Sequence, residues 1–203
     1  MSSSSSTEVL VVDVDGTLSP VDTLELLRLR WWFRHPLQWR QPLQWRSISK
    51  QTEKCELWNR VGFGCNPVLN SSVVAIIQAA RLRGARVAVV TGSAQELAEW
   101  IIKPISEMVD EVHGSDGTRN LTKSAKADFV SRQYASDHVT YIGDSVDDFH
   151  VWKIADRAVV VLGGGVDPST VSGVCAQVET IRGAGKWSRW SARMRLLFSR
   201  LIS

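Results

Sequence analysis

The chain has 203 residues, 22% of them charged and 44% apolar, with a formal net charge of +3. That is an ordinary globular composition, long enough for one domain with a sizeable core and a small insert. No apolar run reaches spanning length, which excludes a transmembrane helix. The cysteines Cys55, Cys65 and Cys175 are odd in number and far apart, which excludes a disulfide framework and points to a reducing compartment such as the cytoplasm.

Charge is unevenly placed. Leu26 to Thr52 holds six Arg/Lys and no acid, and Thr180 to Ser203 again holds six and none. The remainder carries 12 basic against 21 acidic residues. An acidic body with two basic segments suggests that those segments meet something anionic.

Met1 and the five serines after it have neither the charged nor the apolar region of a secretory signal, and residues 1–7 read as a loose tail. Val9-Leu10-Val11-Val12 reads as a buried parallel strand. It runs into Asp13-Val14-Asp15-Gly16-Thr17-Leu18, the stretch that organises the chain. Two carboxylates two residues apart at a strand end can both face a crevice, and Gly16 permits the turn. Thr17 offers a hydroxyl to the same pocket. A strand that merely ends in a polar turn would use the same residue types.

From Ser19 to Asn66 no strand pattern occurs. Val21 to Phe33 reads as a helix and Ile48 to Trp58 as another. Between them Pro-Leu-Gln-Trp-Arg occurs twice, which is too few copies for a repeat architecture. The region 19–66 reads as a small helical cap over the site.

Regular alternation follows. Val68 to Arg83 is predicted helical, with Gly84 at its end. Arg86 to Val90 is a strand ending in Thr91-Gly92-Ser93. Ser93 and Glu96 have capping-box spacing for a helix to about Ile102. Val109 to His113 reads as a short strand, Gly114 to Gly117 as a turn and Thr122 to Tyr134 as a helix. Val139 to Ile142 is a strand ending in Gly143-Asp144-Ser145, and a helix is expected over Val146 to Ala155. Ala158 to Leu162 is the last predicted strand. The expected fold class is therefore α/β, a doubly wound parallel sheet with a small helical cap insert. Segments 8–18 and 67–180 form the core, and 181–203 a basic terminal helix. Asp13, Thr91 and Asp144 all fall at strand carboxyl ends, where such sheets bind ligands.

These residues suit phosphoryl chemistry. One carboxylate of the Asp13/Asp15 pair attacks phosphorus, and the other passes protons to and from the leaving and attacking oxygens. Two carboxylates repel a phosphate, so a cation is needed, and Mg²⁺ suits carboxylates with phosphate oxygens. Thr91 and the backbone N–H groups after it, starting at Gly92, can hold phosphate oxygens. Lys126 sits at a helix start, against the helix dipole, where neutralising a phosphate would explain it. Asp144 is the better metal ligand of Gly-Asp-Ser-x-x-Asp, since Asp148 also fits as the capping acid after Ser145.

In order and spacing, Asp13-x-Asp15-Gly-Thr17, Thr91, Lys126 and Gly-Asp144-x-x-x-Asp148 resemble the haloacid dehalogenase-like superfamily over about Val9 to Leu162. The resemblance implies Asp13 as nucleophile, Asp15 as general acid/base, Thr91 and Thr17 with Gly92 at the phosphate, and Lys126 neutralising it. It implies Mg²⁺ held by Asp13, the Asp15 carbonyl, Asp144 and Asp148. Asp15 favours phosphotransfer over dehalogenation, because dehalogenating members lack an aspartate there. Ser115-Asp-Gly-Thr-Arg-Asn120-Leu, the Lys126 helix, and Tyr141-Ile-Gly-Asp-Ser with Val151-Trp152 resemble the subgroup fused to ubiquinone-pathway-type polyprenyltransferases. The expected activity is a phosphatase on a small phosphorylated metabolite, with a phosphomutase or a non-catalytic adaptor as alternatives.

On a helix at 100° per residue, Trp187, Trp190, Met194, Leu197, Phe198, Leu201 and Ile202 share one face. Arg189, Arg193 and Arg200 lie opposite, with Leu196 on the wrong side. This is the pattern of a helix in a membrane interface, and equally of a terminal helix packed on the body. Trp31, Trp32, Trp39 and Trp45, interleaved with Arg30, Arg34, Arg40 and Arg46, suit an anionic membrane surface as well, and equally plain packing of the cap against the sheet domain. The candidate partners are such a surface or a membrane prenyltransferase. Stacking on nucleic acid is the weaker fit.

Overall fold

The structure, a computed structural model, describes residues 7–38, 50–116 and 119–199. Its strands are β1 (Glu8–Val12), β2 (Arg86–Ala94), β3 (Glu111–Ser115), β4 (His138–Gly143), β5 (Arg157–Leu162) and β6 (Gln177–Arg182). They form one parallel sheet in the order β3-β2-β1-β4-β5-β6. Its helices are α1 (Thr23–Arg34), α2 (Lys50–Val61), α3 (Ser71–Leu82), α4 (Gln95–Ile102), α5 (Lys123–Gln133), α6 (Phe149–Trp152), α7 (Pro168–Ser172) and α8 (Lys186–Phe198).

The continuous apolar run of β1 follows from its central place, because side chains alternate across a sheet and both faces are covered. Leu10 and Val12 join a core with Ile77, Leu97, Leu26 and Leu57 from α3, α4 and the two cap helices. Val9 and Val11 join the opposite core with Val130, Tyr141 and Trp152. Chain order reverses between β1 and β4, whose register pairs Val12 with Ile142. The residues that follow, Asp13 and Asp144, therefore emerge side by side at the switch point, the usual ligand crevice of such sheets.

The structure differs from the sequence expectation in several elements. β2 runs on through Thr91-Gly92-Ser93 to Ala94. Its register against β3 breaks there: Val90 pairs with His113 and Ala94 with Ser115, so β2 carries two extra residues. Such irregularities re-aim side chains next to active sites. The expected capping box at Ser93 does not form, and α4 starts without a side-chain cap. The helix after β4 is shorter than expected, a 3-10 turn at Val146–Asp148 followed by α6. The unpredicted α7 and β6 extend the sheet. β6 is a polar edge strand, so it shows no apolar run.

The cap helices α1 and α2 cover the carboxyl edge of the sheet. Asp22 caps α1 by accepting from the N–H groups of Leu24 at 2.8 Å and Glu25 at 3.3 Å. Arg28 on α1 grips Glu53 on α2 with two hydrogen bonds of 2.6 and 2.5 Å. Glu53 is buried, so the pair sits largely out of water, where breaking it is costly.

α8 packs on α1 through only one residue of the expected face, Leu197, together with Ala192 and Leu196 from outside it. Ala192, Leu196 and Leu197 are buried, while Trp187 and Trp190 stay exposed. Leu196, on the wrong side of the predicted face, is a packing residue. Arg30 is buried rather than turned to an anionic surface. It donates to the carbonyls of Val61 (2.7 Å), Leu196 and Leu197 (both 2.9 Å) and Ser199 (2.5 Å). It thereby satisfies the orphan carbonyls at the α8 C-terminus and complements the negative end of its dipole. Trp39, Arg40, Trp45, Arg46, Gly117, Arg200, Leu201, Ile202 and residues 1–6 lie outside the described residues.

Candidate active site

Asp13 leaves β1 with its N–H bonded to the Ile142 carbonyl at 3.0 Å. The chain then folds back, the Leu18 N–H reaching the Asp13 carbonyl at 3.3 Å and the Ser19 N–H the Val14 carbonyl at 2.8 Å. This tight return needs φ +78° at Gly16, and a Cβ there would meet Asp144 Oδ2 at 2.1 Å. Gly16 thus serves both turn and approach.

Around Asp13 three acids converge. Asp13, Asp144 and Asp148 offer carboxylate oxygens all within 4.8 Å of one another, and all three are buried. Lys126 reaches in from the first turn of α5. Its ammonium donates to Asp13 Oδ1 at 2.7 Å, Tyr141 Oη at 3.0 Å and Asp148 Oδ1 at 3.1 Å. Burial opposes the lysine's charge, but Asp13, Tyr141 and Asp148 hold its pKa well above the usual value.

Asp148 is saturated. Its Oδ1 accepts from Lys126 and from Tyr141 at 2.6 Å; its Oδ2 accepts from the N–H groups of Asp144 and Ser145 and the Ser145 hydroxyl. The capping box with Ser145 is complete. Five donors fill the lone pairs a carboxylate has, so Asp148 is built to hold Lys126 and the Asp144 loop. Thr17, expected at the phosphate, is fully buried and donates its hydroxyl to Asp144 Oδ1 at 3.2 Å.

Asp13 and Asp144 keep unfilled acceptor capacity. Burial pushes Asp13 up to about 7 against the pull of Lys126. Burial, then the charges of Asp13 and Asp148, pushes Asp144 up to about 7 as well. A buried acid pair raised this way suits a small divalent cation, which would relieve both causes. The donor set thus fits Mg²⁺.

Asp15 faces the other way, under the cap. Its Oδ1 accepts from the Thr23 N–H at 3.0 Å and the Thr23 hydroxyl at 2.7 Å. Its Oδ2 accepts from the Ser93 hydroxyl at 2.5 Å and from the ammonium of Lys54 on α2. Burial would raise the Asp15 carboxyl, but Lys54, with Ser93 and Thr23, outweighs it and holds it at about 2. Thr23 opens α1, so the helix N-terminus adds to this anchoring.

Lys54, Ser93 and Thr23 were missed as site residues in the sequence. Ser93 carried a competing signal as a helix cap. Thr23 and Lys54 carried none, because only the fold of the cap brings them to Asp15. Thr91, expected at the phosphate, is buried inside β2 at its register break, and its Oγ1 accepts from the Ser93 N–H at 3.1 Å. Gly92 lies against α5, where a Cβ would meet Thr122 Cγ2 at 2.6 Å.

The fold has relatives of known structure. At 17% identity and a TM-score of 0.60, the chain is similar to CbbY from Rhodobacter sphaeroides, solved with xylulose-(1,5)bisphosphate; the match covers 85% of this chain and 93% of that one. It is similar to a predicted phosphoglycolate phosphatase from Haemophilus somnus 129pt at 13% identity and a TM-score of 0.59, covering 85% and 93%. A phospho-aspartyl intermediate analogue of phosphoserine phosphatase matches at 12% identity and a TM-score of 0.56, covering 86% and 93%. At these identities the likeness shows the α/β fold. No curated protein matches the chain. The family model for haloacid dehalogenase-like hydrolases matches residues 10–153, which take in Asp13, Asp15, Thr91, Lys126, Asp144 and Asp148 alike. The chain belongs to the haloacid dehalogenase-like hydrolases.

Proposed function

We propose that the chain is a Mg²⁺-dependent phosphatase of a small phosphorylated metabolite, working through an aspartyl-phosphate on Asp13. The observation that carries this reading is the division of labour between the two carboxylates. Asp13 lies on Lys126 in a crevice with Asp144, while Asp15 is held apart, two residues on, by Thr23, Ser93 and Lys54.

Asp13, Asp144 and the Asp15 carbonyl would hold Mg²⁺, with Asp148 keeping the Asp144 loop in place. When bound, the cation would neutralise charge on the carboxylates and the phosphate and help orient the phosphoryl group. The Thr91 hydroxyl and the Gly92 N–H hold phosphoryl oxygens, the Ser93 N–H being taken by Thr91 Oγ1, and Lys126 offsets their charge. An Asp13 oxygen attacks phosphorus and the bond to the leaving oxygen breaks; Asp15, ionised while Lys54 holds it, relays to that oxygen the proton that a phosphate monoanion brings in. Asp15 then takes a proton from a water that attacks the aspartyl-phosphate. Phosphate leaves and Asp13 is regenerated.

Lys54 sits where the leaving group must approach Asp15. A cation there favours an acidic substrate, in keeping with the similarity to phosphatases named for phosphoglycolate and phosphoserine. The resemblance to domains fused to polyprenyltransferases adds prenyl phosphates to the candidates. The test is hydrolysis of an aryl phosphate with Mg²⁺, after chelation, and by Asp13→Asn. Loss of at least about 10³-fold is expected from either change. Activity indifferent to both would refute the reading.

A further inference from the structure

The terminal helix carries an apolar edge that the described residues leave largely exposed. Trp187, Trp190, Met194 and Phe198 recur at helical spacing along α8 and form one stripe. Trp187 is 83% exposed, Trp190 55% and Phe198 40%. The rings meet in two pairs: Trp187 and Trp190 lie 6.1 Å apart edge to face, and Phe198 lies 5.7 Å from Phe33. Phe33 and Trp32, at the end of α1, are exposed as well. The helix is already anchored by Ala192 and Leu196 on its opposite side and by Leu197 at the margin of the stripe, so packing does not account for the exposed rings. A contiguous exposed aromatic ridge of this kind marks an interaction surface.

We propose that this ridge docks on an anionic membrane surface, with α8 lying in the plane of the interface. Charge complementarity selects that occupant. Lys186 and Arg195 are exposed and flank the stripe on its two sides, at 100° per residue, and α8 has no acid at all. Arg34 adds a further exposed cation beside Phe33. Indole rings settle at headgroup depth, and arginine and lysine meet the headgroup phosphates. A nucleic-acid groove would need its cations in line along a strand. Here Arg193 is instead turned to Glu25 at 2.6 Å and Arg189 to the carbonyls of Ala184 and Gly163. No helix among the described residues is long and apolar enough to cross a membrane.

The test is co-sedimentation of the full chain with vesicles, compared with the double variant Trp187→Ser/Trp190→Ser. Both side chains are exposed, so the variant's thermal melt should match the parent's. The parent should pellet with phosphatidylcholine vesicles containing about 30% phosphatidylglycerol and stay in solution with phosphatidylcholine alone. The double variant should partition about tenfold less, and raised salt should weaken parent binding without abolishing it. Three results would overturn the proposal. The parent could stay in the supernatant with anionic vesicles at low salt. The double variant could bind as the parent does. Or the parent could form a dimer that the double variant loses, with no vesicle binding, which would make a second copy the occupant. No substrate enters this assay, so its outcome is independent of the phosphatase reading.

Discussion

Asp13 and Asp15 are the same residue type two positions apart, yet their surroundings set them about five pH units apart in opposite directions. Asp13 is buried beside two other acids with one lysine to offset them; Asp15 is answered by two hydroxyls, a helix N-terminus and Lys54. The second set was illegible in the sequence, since Lys54 is 39 residues from Asp15 and Ser93 is 78. It leads to a prediction. Lys54→Met should leave the fold intact but lower kcat/KM for a small soluble phosphate by about tenfold or more, because Asp15 loses a holding contact. Ser93→Ala should cost less, with the lysine still in place. Steady-state kinetics on the two variants, with melting curves as controls, decide the point. Asp144 gives a second prediction. Asp144→Asn should raise the Mg²⁺ concentration needed for half-maximal rate by about tenfold or more, whereas Asp13→Asn should remove the rate at any Mg²⁺ concentration.

Among the elements, α8 shows most clearly why a helical wheel is insufficient. Periodicity identifies an apolar face, but it does not say which of two apolar edges meets the body. Here Ala192 and Leu196 pack because Arg30 on α1 reaches the α8 C-terminus and seats that edge. Arg30 looked like one of a run of surface cations; in the structure it is a buried clamp joining α1, the end of α2 and α8. Arg30→Met should strand several carbonyls and destabilise the protein by about 2–4 kcal/mol. Chemical denaturation measures this, and a loss under ~0.5 kcal/mol would show that the clamp does little. For the same reason, removing 185–203 is expected to loosen the cap as well as delete the aromatic ridge.

At the scale of the whole molecule, the buried acids at the switch point link stability to pH. Asp13 and Asp144 bind protons more readily folded than unfolded, with folded values near 7 against an ordinary 3.8. The folded metal-free chain therefore holds extra protons through that window and loses stability as pH rises across it. Asp15 and Glu111, both held at about 2, work the other way and lose their contribution as pH falls toward 2. In a chelator, the melting temperature should fall between pH 5 and pH 7.5 by the equivalent of at least ~1 kcal/mol, or about 2–4 °C. Mg²⁺ should shrink that fall, and Asp144→Asn should flatten it. A profile that ignores Mg²⁺ would count against Asp13 and Asp144 as its site.

The α/β class and the placement of Asp13 and Asp144 at the ends of β1 and β4 were legible in the sequence, because buried parallel strands must be short apolar runs and the turns after them must be polar; Thr91, expected at a strand end, lies inside β2. Lys126 was legible as well, as a cation placed against a helix dipole. The polar edge strand β6 was not, because an exposed edge needs no apolar run. Nor was the saturation of Asp148, the turn of Thr17 toward Asp144, or the clasp on Asp15. Each of these depends on where a distant segment's donors arrive, and hydrogen bonds between remote residues leave no periodic trace along a chain. The sequence by itself determined the sheet and the acids at its edge. The tertiary structure alone decided which partner each acid has, because partners are chosen by proximity in space and not by spacing along the chain.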